Sequence, residues 1–326
     1  MGPEITSARG TLPLSLGDIS FIGGDLQRPE CVLATRSGRV YATHRQCGVS
    51  LIGTPDYAIR DAPDGFFPNG FALLPDGAFL VASLTGGVWC VDQRRVVSSV
   101  LQEADGVRMS VSNFVGLDDA GRIWVSISTR LSPQEKAFNP DTLDGFIVVI
   151  EDGVGRIVAD GIGFTNECRV DPTGTWLYVN ETFGRRLSRF PLKDLNGRVK
   201  LGTREVVHQF SDGDFPDGLA FDAEGGAWVA CAVSNRIVRI GLDGSRQVIV
   251  EDPDLELNAR ADKTWAEGRL GRAEIDAGGA RFLRNPSSVA FGGSDLRTVY
   301  VGSLAGTRIA TFRSPIAGAP LAHWGF

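Results

Sequence analysis

Residues 216–231, PDGLAFDAEGGAWVAC, decide the fold. A polar residue, Asp217, opens a short run that alternates apolar and small residues. A DAEG turn follows, and then a second apolar run. Period-2 alternation on both sides of a Gly-bearing turn is the mark of a β-hairpin. The same pattern recurs as PECVLATRSGRVYATH from Pro29, PNGFALLPDGAFLVAS from Pro68 and SNFVGLDDAGRIWVSI from Ser112. It returns as TNECRVDPTGTWLYVN from Thr165 and PSSVAFGGSDLRTVYV from Pro286. After most of the hairpins a third apolar run appears, such as GGVWCVD or NRIVRIGL, and often a fourth, such as GRIVADG or SRQVIVE. Four short strands repeated six times predict an all-β six-bladed β-propeller with four-stranded blades, in which radial repetition leaves few exposed strand edges. A β-sandwich with accidentally similar hairpins would not keep the polar anchor in register six times.

No linker or shift of composition interrupts the repeat, so residues 1–326 are expected to form a single domain. The innermost strand of each blade starts at the anchor, on what we call the upper face. Two connections exceed the usual length, residues 130–144 and 252–284. Strand direction places both on that same face. Long loops gathered over one face of a rigid scaffold commonly shape a pocket.

The rest of the composition narrows the class. The 41 glycines are spread along the chain, as many tight turns require. A net charge of −6 with scattered Lys and Arg gives no surface for nucleic acid or acidic membranes, and no apolar run is long enough to span a bilayer. Five cysteines without CxxC spacing argue against a disulfide framework, and no secretory leader is evident, so a cytoplasmic protein is expected. Nothing in the sequence sets an oligomeric state.

The anchors in order are Glu30, Asn69, Asn113, Asn166, Asp217 and Ser287. Taken singly, each is a common turn or capping residue. Taken together they place carboxylates and amides around one channel, with no sulfur or imidazole. Facing carboxylates repel one another and lose hydration, so a cation is expected between them. Oxygen donors of this kind suit hard divalent cations. We therefore expect a divalent metal site on the central axis, with Ca²⁺, Mg²⁺ and Mn²⁺ all open.

The segments PECV around Glu30, SNFVGLDDAGRIWVS around Asn113, GFTNECRVDPTGTWLYVNET around Asn166 and FPDGLAFDAEGGAWVA around Asp217 resemble the SMP-30/gluconolactonase/luciferin-regenerating-enzyme family. That family comprises calcium-dependent six-bladed propellers related to diisopropylfluorophosphatase and the paraoxonases. The resemblance implies metal ligands at Glu30, Asn166 and Asp217 for one divalent ion, Ca²⁺ first, with Mg²⁺, Mn²⁺ or Zn²⁺ as alternatives. It places Asn113 beside the metal as ligand or substrate contact. It also implies that Asp217 accepts the proton of a water attacking a lactone carbonyl. Two departures stand out. Val111 lies where some sugar lactonases have a substrate-binding Arg, which fits a less polar substrate. Ser287 and Ser288 lie where phosphotriesterase relatives have a His.

Further candidates follow from position. His44 and Glu181 each end a second strand and so reach the upper face; with Asn69 they are candidate substrate contacts. Glu167 follows Asn166, and alternation should turn it away from the channel. Trp265 in the 252–284 segment belongs either to a lid or to a solvated helix. The expected activity is metal-dependent opening of a lactone or related cyclic ester, with a small molecule as partner. An isomerase, lyase or phosphoric-ester hydrolase on the same site, a non-catalytic metal-binding or ligand-binding propeller, and a metal-free strictosidine-synthase-like propeller are the alternatives.

Overall fold

The computed structural model describes residues 12–55, 58–195 and 197–326. The chain forms six radial β-sheets around one axis; the inner strand carries the repeat anchor as its second residue in blades two to six and starts just after Glu30 in blade one. The sheet of blade one contains Val32–Ala34, Val40–His44 and Gly48–Leu51. Blade two runs outward through Pro68–Leu73, Phe79–Ser83, Val88–Val91 and Val97–Leu101. Blade three uses Ser112–Leu117, Ile123–Ile127, Gly145–Glu151 and Val154–Ile162. In blade four, Thr165–Val170 and Trp176–Glu181 are followed by the long strand Arg186–Leu195, which pairs with both Arg198–Leu201 and Glu205–Gln209. Blade five is Pro216–Phe221, Ala227–Cys231, Arg236–Ile240 and Arg246–Glu251. Blade six is Pro286–Gly292, Thr298–Ser303 and Ile309–Arg313, and Ser20–Ile22 from the start of the chain completes it as the outermost strand.

Blade one departs from four strands. Its sheet has three among the described residues. The segment that would supply the fourth turns to blade two, where Arg60 takes a backbone bond from Val97 and donates one to Arg95.

Local chemistry explains the hairpins. Asp118 accepts from the amides of Ala120 and Arg122, and its other oxygen takes the Trp124 indole at 2.8 Å. Asp222 does the same for Glu224, Gly226 and Trp228. The turn aspartate thus fixes the turn and pins a buried tryptophan of the returning strand, a use of Asp that competes well with regular pairing.

The anchors are aimed at the axis by irregularity. The inner strands of blades two to six each shift register at the anchor, between Pro68 and Phe71, Ser112 and Phe114, Thr165 and Cys168, Pro216 and Leu219, and Pro286 and Ser288. Such bulges re-aim side chains. Adjacent blades then touch backbone to backbone, and only glycine fits there. A Cβ on Gly70 would lie 2.7 Å from Phe114 Cα, and one on Gly218 2.5 Å from Ser288 Cα. Side chains tie neighbouring blades at this level. Thr43 donates to the Asn69 carbonyl, Ser128 to that of Thr165, Thr182 to that of Pro216, and Ser287 to that of Glu30.

Segment 252–284 folds into α1 (Leu255–Ala266) and α2 (Arg272–Ala277) on the upper face. Asp254 caps α1 by accepting from the Leu257 amide. No helix among the described residues is long and apolar enough to cross a membrane.

Candidate active site

A pocket opens on the upper face above the axis, enclosing about 560 Å³ with its mouth included. Its floor is polar. Glu30, Asn113, Asn166 and Asp217 line it, together with Arg28. Buried among neighbouring blades, all four anchors are less than a tenth exposed.

Asn69 does not face the pocket. Its amide nitrogen donates to Glu30 Oε1 at 2.9 Å, to the Asn113 carbonyl at 2.8 Å and toward Asn113 Oδ1 at 3.3 Å, while its oxygen accepts from Arg28 at 2.7 Å. Both ends of Asn69 are thus engaged with Glu30, Asn113 and Arg28, and it is not among the residues that line the pocket. Ser287 is likewise committed, to the Glu30 carbonyl. Asn166 donates to Thr182 Oγ1 at 3.0 Å, which turns its oxygen toward the floor.

Two other expected contacts lie elsewhere. His44 accepts the Gln46 and Cys47 amides on Nδ1 at 3.2 and 3.3 Å, organising the turn into its blade's third strand. Glu181 is fully buried beside the pocket but not in it. Its carboxylate accepts from Ser188 at 2.5 Å, Arg186 at 2.8 Å and the Gly163 amide at 2.9 Å. Burial alone would raise the Glu181 carboxyl, but those hydrogen bonds outweigh it and hold it below the usual range. The register of its strand turns it sideways into blade four, which sequence parity at a strand end cannot reveal.

The floor is electrostatically loaded. Burial, with repulsion from Glu167, pushes Asp217 up to about 7. Burial also raises Glu30 well above the usual range; Arg28 opposes this, and Asp217 adds to it. Glu167 does point away from the pocket floor, toward Arg169 at 3.1 Å and the Leu219 amide at 3.1 Å, yet it stays close enough to act on both Glu30 and Asp217.

Whether these residues fit a cation can be tested on their hydrogen bonds. Glu30 Oε2 and Asn166 Oδ1 are buried and have no hydrogen-bond partner. Among the described residues, they are the only such atoms on pocket-lining side chains. Buried oxygens without a donor are rare and costly unless something positive meets them. Among the described residues no group of three or more His, Cys, Asp or Glu converges anywhere. An ion here would rest on two carboxylates and take its remaining ligands from amides, backbone or water, a set that fits a hard cation.

The walls were not foreseen. Phe138, Phe164, Phe183 and Phe215 line the pocket, and α2 adds Arg272 and Ile275. Segment 130–144 contributes Gln134 and Phe138. The signal for part of this wall lay two residues ahead of the anchors. That position holds Arg28, Phe164 and Phe215 ahead of Glu30, Asn166 and Asp217, and all three line the pocket.

Segment 252–284 is a fixed cap. The Trp265 indole donates to the Phe183 carbonyl at 2.9 Å, Arg185 pairs with Asp262 at 2.8 Å, and Leu257, Ala261 and Trp265 pack on the phenylalanine cluster.

Comparison with known proteins gives concordant results. The family model for the SMP-30/Gluconolactonase/LRE-like region matches residues 35–257. A 6-deoxy-6-sulfogluconolactonase of Pseudomonas putida is 30% identical over 74% of this chain and 70% of its own. A pentonolactonase of Haloferax volcanii is 27% identical over 77% and 72%. Among solved structures, the calcium-binding protein regucalcin of Agrobacterium tumefaciens superposes with a TM-score of 0.63 at 18% identity, covering 94% of this chain and 98% of that one. At that identity the likeness concerns the fold.

Proposed function

The chain belongs to the SMP-30/gluconolactonase/LRE-like family, and on that premise we propose that it is a divalent-cation-dependent hydrolase that opens a lactone or related cyclic ester. The observation that carries the reading is the pair of partnerless oxygens, Glu30 Oε2 and Asn166 Oδ1, on the floor that Asp217 also lines. Glu30, Asn166 and Asp217 would hold the ion, with Asn113 beside it. Ca²⁺ is the first choice, since this donor set is all oxygen and two of its members are neutral amides. A cation held there supplies positive charge that polarises a lactone carbonyl and stabilises the negative charge developing on its oxygen.

The chain's own groups do the rest. Asn113 orients the carbonyl over the floor. Asp217 takes a proton from water as the water oxygen bonds to the carbonyl carbon. The carboxylate is buried away from bulk water, which favours proton transfer to a group that is otherwise a weak base. The ring C–O bond then breaks, the released alkoxide receives a proton, and a hydroxy acid results. The phenylalanine walls keep bulk water from the reacting bond. Five free thiols support a reducing compartment, the cytoplasm.

The test is hydrolysis of a lactone panel by metal-stripped protein with Ca²⁺, Mg²⁺, Mn²⁺ or Zn²⁺ restored, comparing wild type with Asp217→Ala. We expect turnover to return with the metal and to fall by roughly a hundredfold or more in the variant. Metal binding without turnover of any lactone would remove the activity and leave the site. No metal binding would remove both.

A further inference from the structure

The pocket has an uneven character that lactone opening by itself does not demand. One side is aromatic. Phe138 and Phe183 pack with ring centroids 4.3 Å apart, Phe164 meets them at 5.5 and 4.7 Å, and Phe215 meets Phe183 at 6.0 Å. These four rings come from four separate segments and all line the same cavity. Val233, Ile275 and Leu304 extend the apolar surface. A polyol lactone laid against this wall would bury hydroxyls without partners, which opposes binding. An apolar body would instead release water from both surfaces.

The same lining also carries basic groups. Arg272, the first residue of α2, lines the pocket mouth, and its one ion pair among the described residues, to Asp276 at 3.3 Å, lies between side chains that are both widely exposed. Such pairs are weak and yield readily to a better partner. The charged side chains lining the pocket are Glu30 and Asp217, at −2 together, and Arg28 and Arg272, at +2 together. They sum to zero, and a divalent cation would bring the loaded pocket to +2. Glu167, behind the floor, is balanced by Arg169. A loaded site with excess positive charge and an apolar wall complements a ligand that is itself apolar and anionic.

We infer that the substrate is a lactone with an apolar, flat or branched body that carries a carboxylate, the body lying on the phenylalanine wall and the carboxylate meeting Arg272. The word lactone rests on the proposed activity; the pairing of apolar wall with basic rim does not.

The experiment separates the two. Holding Ca²⁺ constant, kcat/KM is measured for glucono-δ-lactone, γ-phenyl-γ-butyrolactone and its 4-carboxyphenyl analogue. Binding of the three corresponding lactams, which resist hydrolysis, is measured by calorimetry. The expected order is carboxyphenyl above phenyl above polyol, with about tenfold or more at each step. Arg272→Gln, at an exposed position, should shrink the carboxyphenyl-to-phenyl ratio by about tenfold, mainly through KM. A polyol lactone in first place would overturn the inference and leave a lactonase. Lactams binding in the expected order without turnover of any lactone would uphold the pocket chemistry and overturn hydrolysis. Equal binding of the three lactams, or an unchanged ratio in Arg272→Gln, would overturn the inference outright.

Discussion

Asp217 carries a strongly perturbed carboxyl on the pocket floor. Its carboxyl is pushed up to about 7 in the fold, against roughly 3.9 in an unfolded chain. A raised carboxyl favours the folded state below the unfolded value and loses that contribution as pH rises through the folded one. The metal-stripped protein should therefore lose stability between about pH 4 and pH 7 relative to Asp217→Asn, which keeps the shape and drops the charge. Saturating Ca²⁺ should close that gap, because the ion needs the deprotonated form. Calorimetric melting across this pH range checks both; a gap that ignores pH would refute the charge account. At this scale the anchors were readable because polar residues recur at one place in every repeat. The roles of Asn69 and Glu181 were not, because each is decided by partners that only the fold supplies: Arg28 and Asn113 from neighbouring blades for one, and Ser188 and Arg186 on the paired strand for the other. The column two residues ahead of the anchors was on the page, yet its meaning depends on knowing which rings meet over the axis.

Strands and helices add what single residues cannot. Alternation and turn residues were enough to find every hairpin, but a register shift at an anchor leaves no trace in one strand's own sequence. It exists only against the partner. The shortened sheet of blade one is similar, since the segment around Arg60 was captured by the neighbouring blade. The cap allows a test of its own. Trp265→Phe keeps the ring packing against Phe215, at 6.4 Å between centroids, and removes the bond to the Phe183 carbonyl. A lost hydrogen bond of this kind is worth about 1 kcal/mol, so amides of α1 should open about fivefold more often. Hydrogen exchange resolved to α1 reads this directly. Protection unchanged in α1 would mean that packing alone holds the cap.

For the whole molecule, the ring is held shut by three residues from near the chain's start. Ser20–Ile22 pairs with Ile309–Arg313 through Thr311, Ala310 and Ile309, and Phe21 packs on Phe282 at 5.2 Å and under Arg308 at 4.6 Å. A chain beginning after Ile22 should fold with blade six exposing its outer edge. We expect melting about 5–10 °C lower, read by calorimetry. An unaltered melt would show that the ring closes without that strand.

That closure also dictates a timetable. The strand is made long before its partner, with residues 23–308 between them. At about 5–20 residues per second the ribosome needs roughly 15–60 s to make the chain between them. Throughout that interval the molecule is an open arc, and its first strand has nothing to pair with. Glu30 likewise waits for Asp217, so no early fragment of the chain holds both carboxylates of the site.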